Sequence, residues 1–226
     1  MKAYKVKLLS PLYYRSRIES GAAGATVTDP WIGDLAMMYA INNALGLKHI
    51  MFKYNSHKPD YREIVGLGFI VSVSEPFNIY RFTKVMDIAT SFMSEGYPQG
   101  KAISESERAP MRNWMKRQGI EPGSEFSFVS FFKNGIKQFP QKFSIRLGNT
   151  KECVALVEEE PVKETSRITV NLYTLSLFLG PERFQEIISD IKMGKYSSHI
   201  LQVSPQYVLA KNITVQNALK IFEPYN

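Results

Sequence analysis

Tyr13, Tyr14, Arg15 and Arg17 place two flat rings and two guanidinium groups within a few residues of one another. Rings stack on unpaired bases and guanidinium groups hold phosphates, so this knot has the chemistry of single-stranded RNA recognition. A second basic set, Lys142 and Arg146, lies in the run Lys142-Phe143-Ser144-Ile145-Arg146-Leu147-Gly148. Strand alternation puts Phe143, Ile145 and Leu147 on one face and Lys142, Ser144 and Arg146 on the other, and Gly148 lets a backbone or a ligand come close. A third set is Arg112, Trp114, Lys116 and Arg117, within residues 101–117, where five cations meet two acids. Each set also has a plain structural reading. A tyrosine of the knot can face the core while Arg17 pairs with Glu19. Trp114 and Met111 can be the core of a small helix. Arg146 can be a surface residue beside a hairpin turn.

Enzyme signatures are sparse. The chain has no P-loop and no G-x-G-x-x-G. It has three histidines, His49, His57 and His199, far apart in sequence, and a single cysteine, which is poor material for a metal site. No nucleophile elbow is visible. The acid run Glu158-Glu159-Glu160 reads as a solvated face. A metal-free ribonuclease needs only a general base, a general acid and a cation, and His57 or His199 with Lys or Tyr neighbours could supply that. The sequence therefore calls for no metal and no cofactor.

The formal net charge of +7 favours an anionic partner, nucleic acid before an acidic lipid surface. A basic protein with no polyanion partner, or one docking an acidic protein, is the bland alternative. At 226 residues and 44% hydrophobic, the chain can bury a full core. Cys153, in the apolar run CVALV, makes no internal disulfide and fits an intracellular compartment. The first ten residues are too short and too charged for a signal peptide, and no apolar stretch approaches a membrane span. A cytoplasmic protein without membrane attachment is expected.

Elements must position these groups. Residues 3–9 alternate as a half-buried strand. A helix is expected at about 29–45, capped by Thr28 or Asp29, with Pro30 in its first turn and Gly46 as its left-handed end. Residues 68–74 and 77–82 read as strands, and 87–93 is ambiguous. Residues 95–123 read as an insertion extending from the core, whose second half, 111–117, is a short helix. Residues 125–132 form an aromatic strand, and 142–147 with 152–158 a hairpin-like pair. Residues 167–175 are β-prone, 181–193 helical, and 196–203 with 206–210 closing strands, while 215–222 is undecided. This order predicts a single α+β domain over 1–226, an antiparallel ferredoxin-like (RRM-like) sheet with helices on one face.

The run Thr28-Asp29-Pro30-Trp31-Ile32-Gly33-Asp34-Leu35-Ala36-Met37-Met38-Tyr39-Ala40-Ile41 resembles a T-E-x-Y-L-H-N-x-A-L-x-Y-A-L segment of the Csc-type Cas-five subunit of CRISPR type I-D Cascade. Ser16-Arg17, Gly123-Ser124-Glu125-Phe126 and Ile145-Arg146-Leu147-Gly148 are similar to further islands of that family, in the same order, over about residues 4–157. The resemblance implies a RAMP-superfamily fold and a non-catalytic subunit that grips the 5′ handle of the guide RNA (crRNA) and caps the backbone. Its implied neighbours are a Cas-seven-type backbone subunit, a large Cas-ten-like subunit and target DNA near the PAM. In this setting Tyr13 and Tyr14 stack bases, and Arg15, Arg17, Lys142 and Arg146 hold phosphates. Residues 95–123 sit where the resemblance implies a thumb-like insertion, and Arg112, Trp114, Lys116 and Arg117 then form that thumb against the first backbone subunit. The alternative is a metal-independent endoribonuclease that processes precursor crRNA, as some Cas-five relatives do. Gly33 and Asp34 stand where the family carries His-Asn, so a contact that pair makes with RNA is lost or altered here.

Overall fold

The computed structural model describes residues 1–13, 25–50, 61–78, 80–91, 112–148, 153–163, 166–196 and 199–223, and for 25–27, 86–91 and 112–117 it describes the backbone alone. In chain order the elements are β1 (Lys2–Leu8), β2 (Ala25–Val27), α1 (Asp34–Leu45), a 3-10 helix (Tyr61–Leu67), β3 (Phe69–Val71), β4 (Glu75–Pro76), β5 (Met86–Ser91), β6 (Arg112–Gln118), β7 (Glu125–Phe132), β8 (Lys142–Leu147) and β9 (Cys153–Glu160). There follow β10 (Arg167–Asn171), α2 (Leu172–Phe178), α3 (Pro181–Lys192), β11 (His199–Ser204), β12 (Tyr207–Thr214) and α4 (Val215–Phe222). The architecture is mixed α and β.

The main sheet is antiparallel, in the order β3-β7-β1-β9-β8, with β4 also on β7. The expected alternation in β1 holds: Tyr4, Val6 and Leu8 are buried and Lys7 is exposed. Their face packs on α1 through Leu35, Met38 and Ile41, and Tyr4 stacks on Phe128 with centroids 5.4 Å apart. The expected pair of β8 and β9 is present, with Ile145 opposite Ala155.

Helices sit on both faces of this sheet, not on one. β3 and β7 also turn Ile70, Val129 and Phe131 to the far side, into a second core with α3, α4 and the sheet β10-β12-β11. Phe131 stacks on Phe222 of α4 at 4.2 Å. The reason is legible in β7, whose residues are apolar on both faces (Phe126 and Phe128, then Val129 and Phe131), and a strand apolar on both faces needs two covers.

Other local expectations change for tertiary reasons. Helix α1 starts at Asp34 with Gly33 as its N-cap, because Ile32 exchanges backbone hydrogen bonds of 2.9 Å with Ser74 and holds the preceding residues extended. Thr28 does not cap it, its hydroxyl donating instead to the Gln118 carbonyl at 3.0 Å. Gly46 does end the helix, at φ 59°. Residues 112–118 are a strand, not a helix: β6 pairs antiparallel with β5 and parallel with β2, and two neighbours outweigh a modest local preference for helix. Among the described residues of 77–82, Phe82 makes an isolated bridge to Ile120 and none belongs to a strand. The β-prone run from 167 stops at Asn171, whose side chain accepts from the Tyr173 N–H and starts α2.

Candidate nucleic-acid interface

After β1 the chain crosses the end of the main sheet and is tied on both sides. Leu9 N–H donates to the Val154 carbonyl at 2.8 Å, and Val154 N–H donates to the Ser10 hydroxyl at 2.8 Å. Leu12 exchanges both backbone bonds with Ile120, at 3.0 and 2.9 Å, and both side chains are buried. Tyr13 follows, half-buried.

Two glycines make room for it. A methyl group at Gly119 would lie 2.6 Å from the Leu12 carbonyl oxygen and 2.7 Å from Tyr13 ring atoms. At Gly148, where φ is +87°, it would lie 3.0 Å from the Tyr13 carbonyl oxygen. The close approach expected at Gly148 is thus made by backbone. Tyr13 therefore rests against the residue after β6 and the residue after β8. Tyr13, the end of β6 and the end of the Lys142–Leu147 strand thus meet at one place.

The end of β6 is hydrogen-bonded on both sides. Thr28 N–H and hydroxyl both donate to the Gln118 carbonyl at 3.0 Å. Thr83 N–H donates to Gly119 O at 2.9 Å, Gly119 N–H donates back to the Thr83 hydroxyl at 3.0 Å, and Gln118 Nε2 donates to Thr83 O at 3.1 Å.

The basic residues singled out in the sequence fall as follows. Tyr14, Arg15 and Arg17 lie outside the described residues, as does His57. Arg112, Trp114, Lys116 and Arg117 occupy β6, opposite Ser91, Ala89, Asp87 and Met86 of β5. Lys142, Ser144 and Arg146 share the exposed face of β8. Lys142 Nζ is 2.7 Å from Glu158 Oε1, and this hydrogen bond holds the Glu158 carboxyl below the usual range. Arg146 is exposed with no carboxylate partner among the described residues. On the same open face β1 adds Lys5, 3.7 Å from Glu160, and the exposed Lys7. The uncompensated charge of this face is thus carried by Arg146 and Lys7.

A sequence model of the type I-D CRISPR-associated protein Cas5/Csc1 matches residues 1–222. The chain belongs to the Cas5/Csc1 family. No curated protein matches it. The family match runs well past residue 157, so the second core, with α3, α4 and β10-β12-β11, lies within the span that the Cas5/Csc1 model covers. Among the described residues no helix is long and apolar enough to cross a membrane.

One residue of this Cas5/Csc1 chain has a role that its sequence hides. Asp34 is 1% exposed. Its carboxylate accepts from Asn171 Nδ2 at 2.9 Å and from the Thr174 hydroxyl. Burial pushes its pKa up to about 6 against these bonds, which pull it down. Asp34 therefore joins α1 to the start of α2 and faces away from solvent. Nothing in the residue order pointed to this, because a helix from about residue 29 puts Asp34 past its first turn.

Proposed function

We propose that this chain is the non-catalytic subunit of a type I-D CRISPR effector complex that binds the 5′ handle of crRNA and caps the foot of the backbone. In this reading the fold is a single RAMP-type, ferredoxin-like domain, and the arm of β5 and β6 is its thumb. The observation that carries it is that Tyr13, from which the chain runs on into Tyr14, Arg15 and Arg17, meets both the end of β6 and the end of the strand bearing Arg146. Separate basic patches would favour diffuse attraction to any polyanion, whereas one joint surface suits a single strand held at several points.

Tyr13 and Tyr14 stack splayed bases of the handle. Arg15, Arg17, Lys142 and Arg146 neutralise its phosphates. Arg112, Trp114, Lys116 and Arg117 carry the arm against the first Cas-seven-type backbone subunit. The large Cas-ten-like subunit and target DNA near the PAM are its further neighbours, in the cytoplasm. Bases read at their edges give specificity, while phosphate contacts give salt-dependent affinity.

The test is RNA binding by Arg17→Ala and Arg146→Ala across a salt series. Removing one phosphate-binding cation lowers the slope of log K against log salt by about 0.7 on a single strand. Slopes unchanged in both variants remove these residues from the RNA site. Sequencing the RNA that copurifies with the chain provides the second check, since a handle-binding subunit enriches one dominant 5′ end.

A further inference from the structure

Among the described residues, Phe82 is an aromatic side chain that stays at the surface although its backbone is fixed on both sides. It is 40% exposed. Phe82 pairs with Ile120 in an antiparallel bridge, flanked by Thr83 N–H donating to Gly119 O at 2.9 Å and Glu121 N–H donating to Arg81 O at 2.8 Å. Arg81 N–H in turn donates to the Ser124 hydroxyl at 3.2 Å. One edge of the ring rests on Tyr80, with centroids 5.1 Å apart and planes at 77°. The ring is thus ordered before any ligand arrives, which lowers the entropy cost of a contact.

Its chain neighbours are cationic. Arg81 and Lys84 are both exposed, and neither has a carboxylate partner among the described residues. Glu121, paired with this segment through its backbone, forms no ion pair with Arg81. An exposed apolar ring between two uncompensated cations suits a nucleobase with its adjoining phosphates better than an apolar protein surface, which would have to desolvate both charges.

The place matters as much as the composition. Phe82 pairs with Ile120, and Ile120 pairs with Leu12, the residue before Tyr13. Two strand spacings, roughly 10 Å, separate the Phe82 and Leu12 backbones. Cross-strand partners share a face, so Phe82 lies on the side of Ile120 and Leu12, and Tyr13 lies on the other; a base on Phe82 is a contact separate from one on Tyr13.

We infer that Phe82, with Arg81 and Lys84 beside it, is a stacking platform for an unpaired base of bound RNA, a contact additional to the knot and to β8. The inference rests on the handle-binding reading above. Phe82→Leu keeps the apolar contact with Tyr80 and removes the π face, and Phe82→Trp enlarges that face. The probe is a fluorescein-labelled single-stranded RNA of mixed sequence, followed by anisotropy with the full chain, and melting curves confirm that each variant is folded. Phe82→Leu weakens binding about five- to a hundredfold, the range of a single base stack, and Phe82→Trp retains it. Lys84→Ala lowers the salt slope by about 0.7.

Wild-type affinity in Phe82→Leu, with Arg146→Ala weakened, overturns the platform and leaves the handle reading intact; Phe82 then faces another subunit. Failure of the wild-type chain to bind the RNA overturns both, as does binding that neither variant affects.

Discussion

Asn171 Nδ2 donates to Oδ1 of Asp34 across 2.9 Å, joining the last residue of β10 to the first residue of α1. The same amide nitrogen donates to Gln206 O at 3.0 Å, and the amide oxygen accepts from Tyr173 N–H at 3.1 Å. One side chain thus ties the α1 face of the main sheet to the C-terminal layer.

This link titrates. The Asp34 carboxyl is raised from 3.8 to about 6, so the folded chain holds its proton where the unfolded chain has lost it. Stability is therefore lost as pH rises from about 4 to about 6, and is level above that. The gap corresponds to roughly 3 kcal/mol. Asn at this position accepts the same Asn171 bond and carries no charge. Asp34→Asn gains that amount on the wild type between pH 4 and 7, measured by urea unfolding at each pH. Parallel profiles for the two proteins would count against it.

Gly119 has no room for a side chain. In Gly119→Ala the new methyl group meets the Leu12 carbonyl, which is fixed by its bonds to Ile120 and cannot rotate away. The expected cost is about 1–3 kcal/mol of stability, with Tyr13 displaced and RNA affinity reduced. Gly123→Ala is the control: it is strained by its φ of +83° but meets nothing within 4 Å, so it loses stability and keeps RNA affinity. Equal RNA affinity in both variants would separate Tyr13 from the RNA site.

Lys142 and Arg146 share a strand face but not a state. Lys142 is already bonded to Glu158, and RNA must compete with that carboxylate. Arg146→Ala therefore lowers the salt slope of RNA binding by about 0.7, and Lys142→Ala lowers it by less. Glu158→Gln frees Lys142 and raises affinity at low salt. Three identical slopes would argue that β8 does not touch the RNA.

Cys153 is buried, and burial pushes its thiol up to about 11 while Sγ donates to the Ser10 carbonyl at 3.3 Å. The reactive thiolate is scarce at neutral pH. Iodoacetamide labels the native chain slowly and the urea-unfolded chain fast, as mass spectrometry can follow. Rapid labelling of native protein would mean that the Ser10–Cys153 contact opens readily.

How much of this was legible in the sequence depended on how local each cause is. Strand alternation in residues 3–9, the β8–β9 pair, the Gly46 end of α1 and the helix after Gly180-Pro181 are set by neighbours in the chain, and all are present. The start of α1 was not legible, because Ser74 holds Ile32 extended from a distant part of the sequence. Nor was β6, whose strand state is imposed by β2 and β5. The two-sided cover of the main sheet was written in Val129 and Phe131, yet an aromatic run does not say which of its faces meets what. Around the candidate site, the exposed face of Lys142, Ser144 and Arg146 followed from alternation. Gly119 and Phe82 did not, since their meaning comes from Leu12 and Ile120 lying alongside.

The position of β1 has a consequence for how the chain is made. β1 lies between β7 and β9, so during synthesis one of its edges stays unpaired until Phe132 has been added and the other until Glu160. Helix α1 waits longer still, for Asn171 and Thr174. Folding is therefore a late event that engages most of the chain at once, and nascent or prematurely terminated products expose Tyr4, Val6 and Leu8 to chaperones and proteases instead of accumulating as a stable N-terminal fragment.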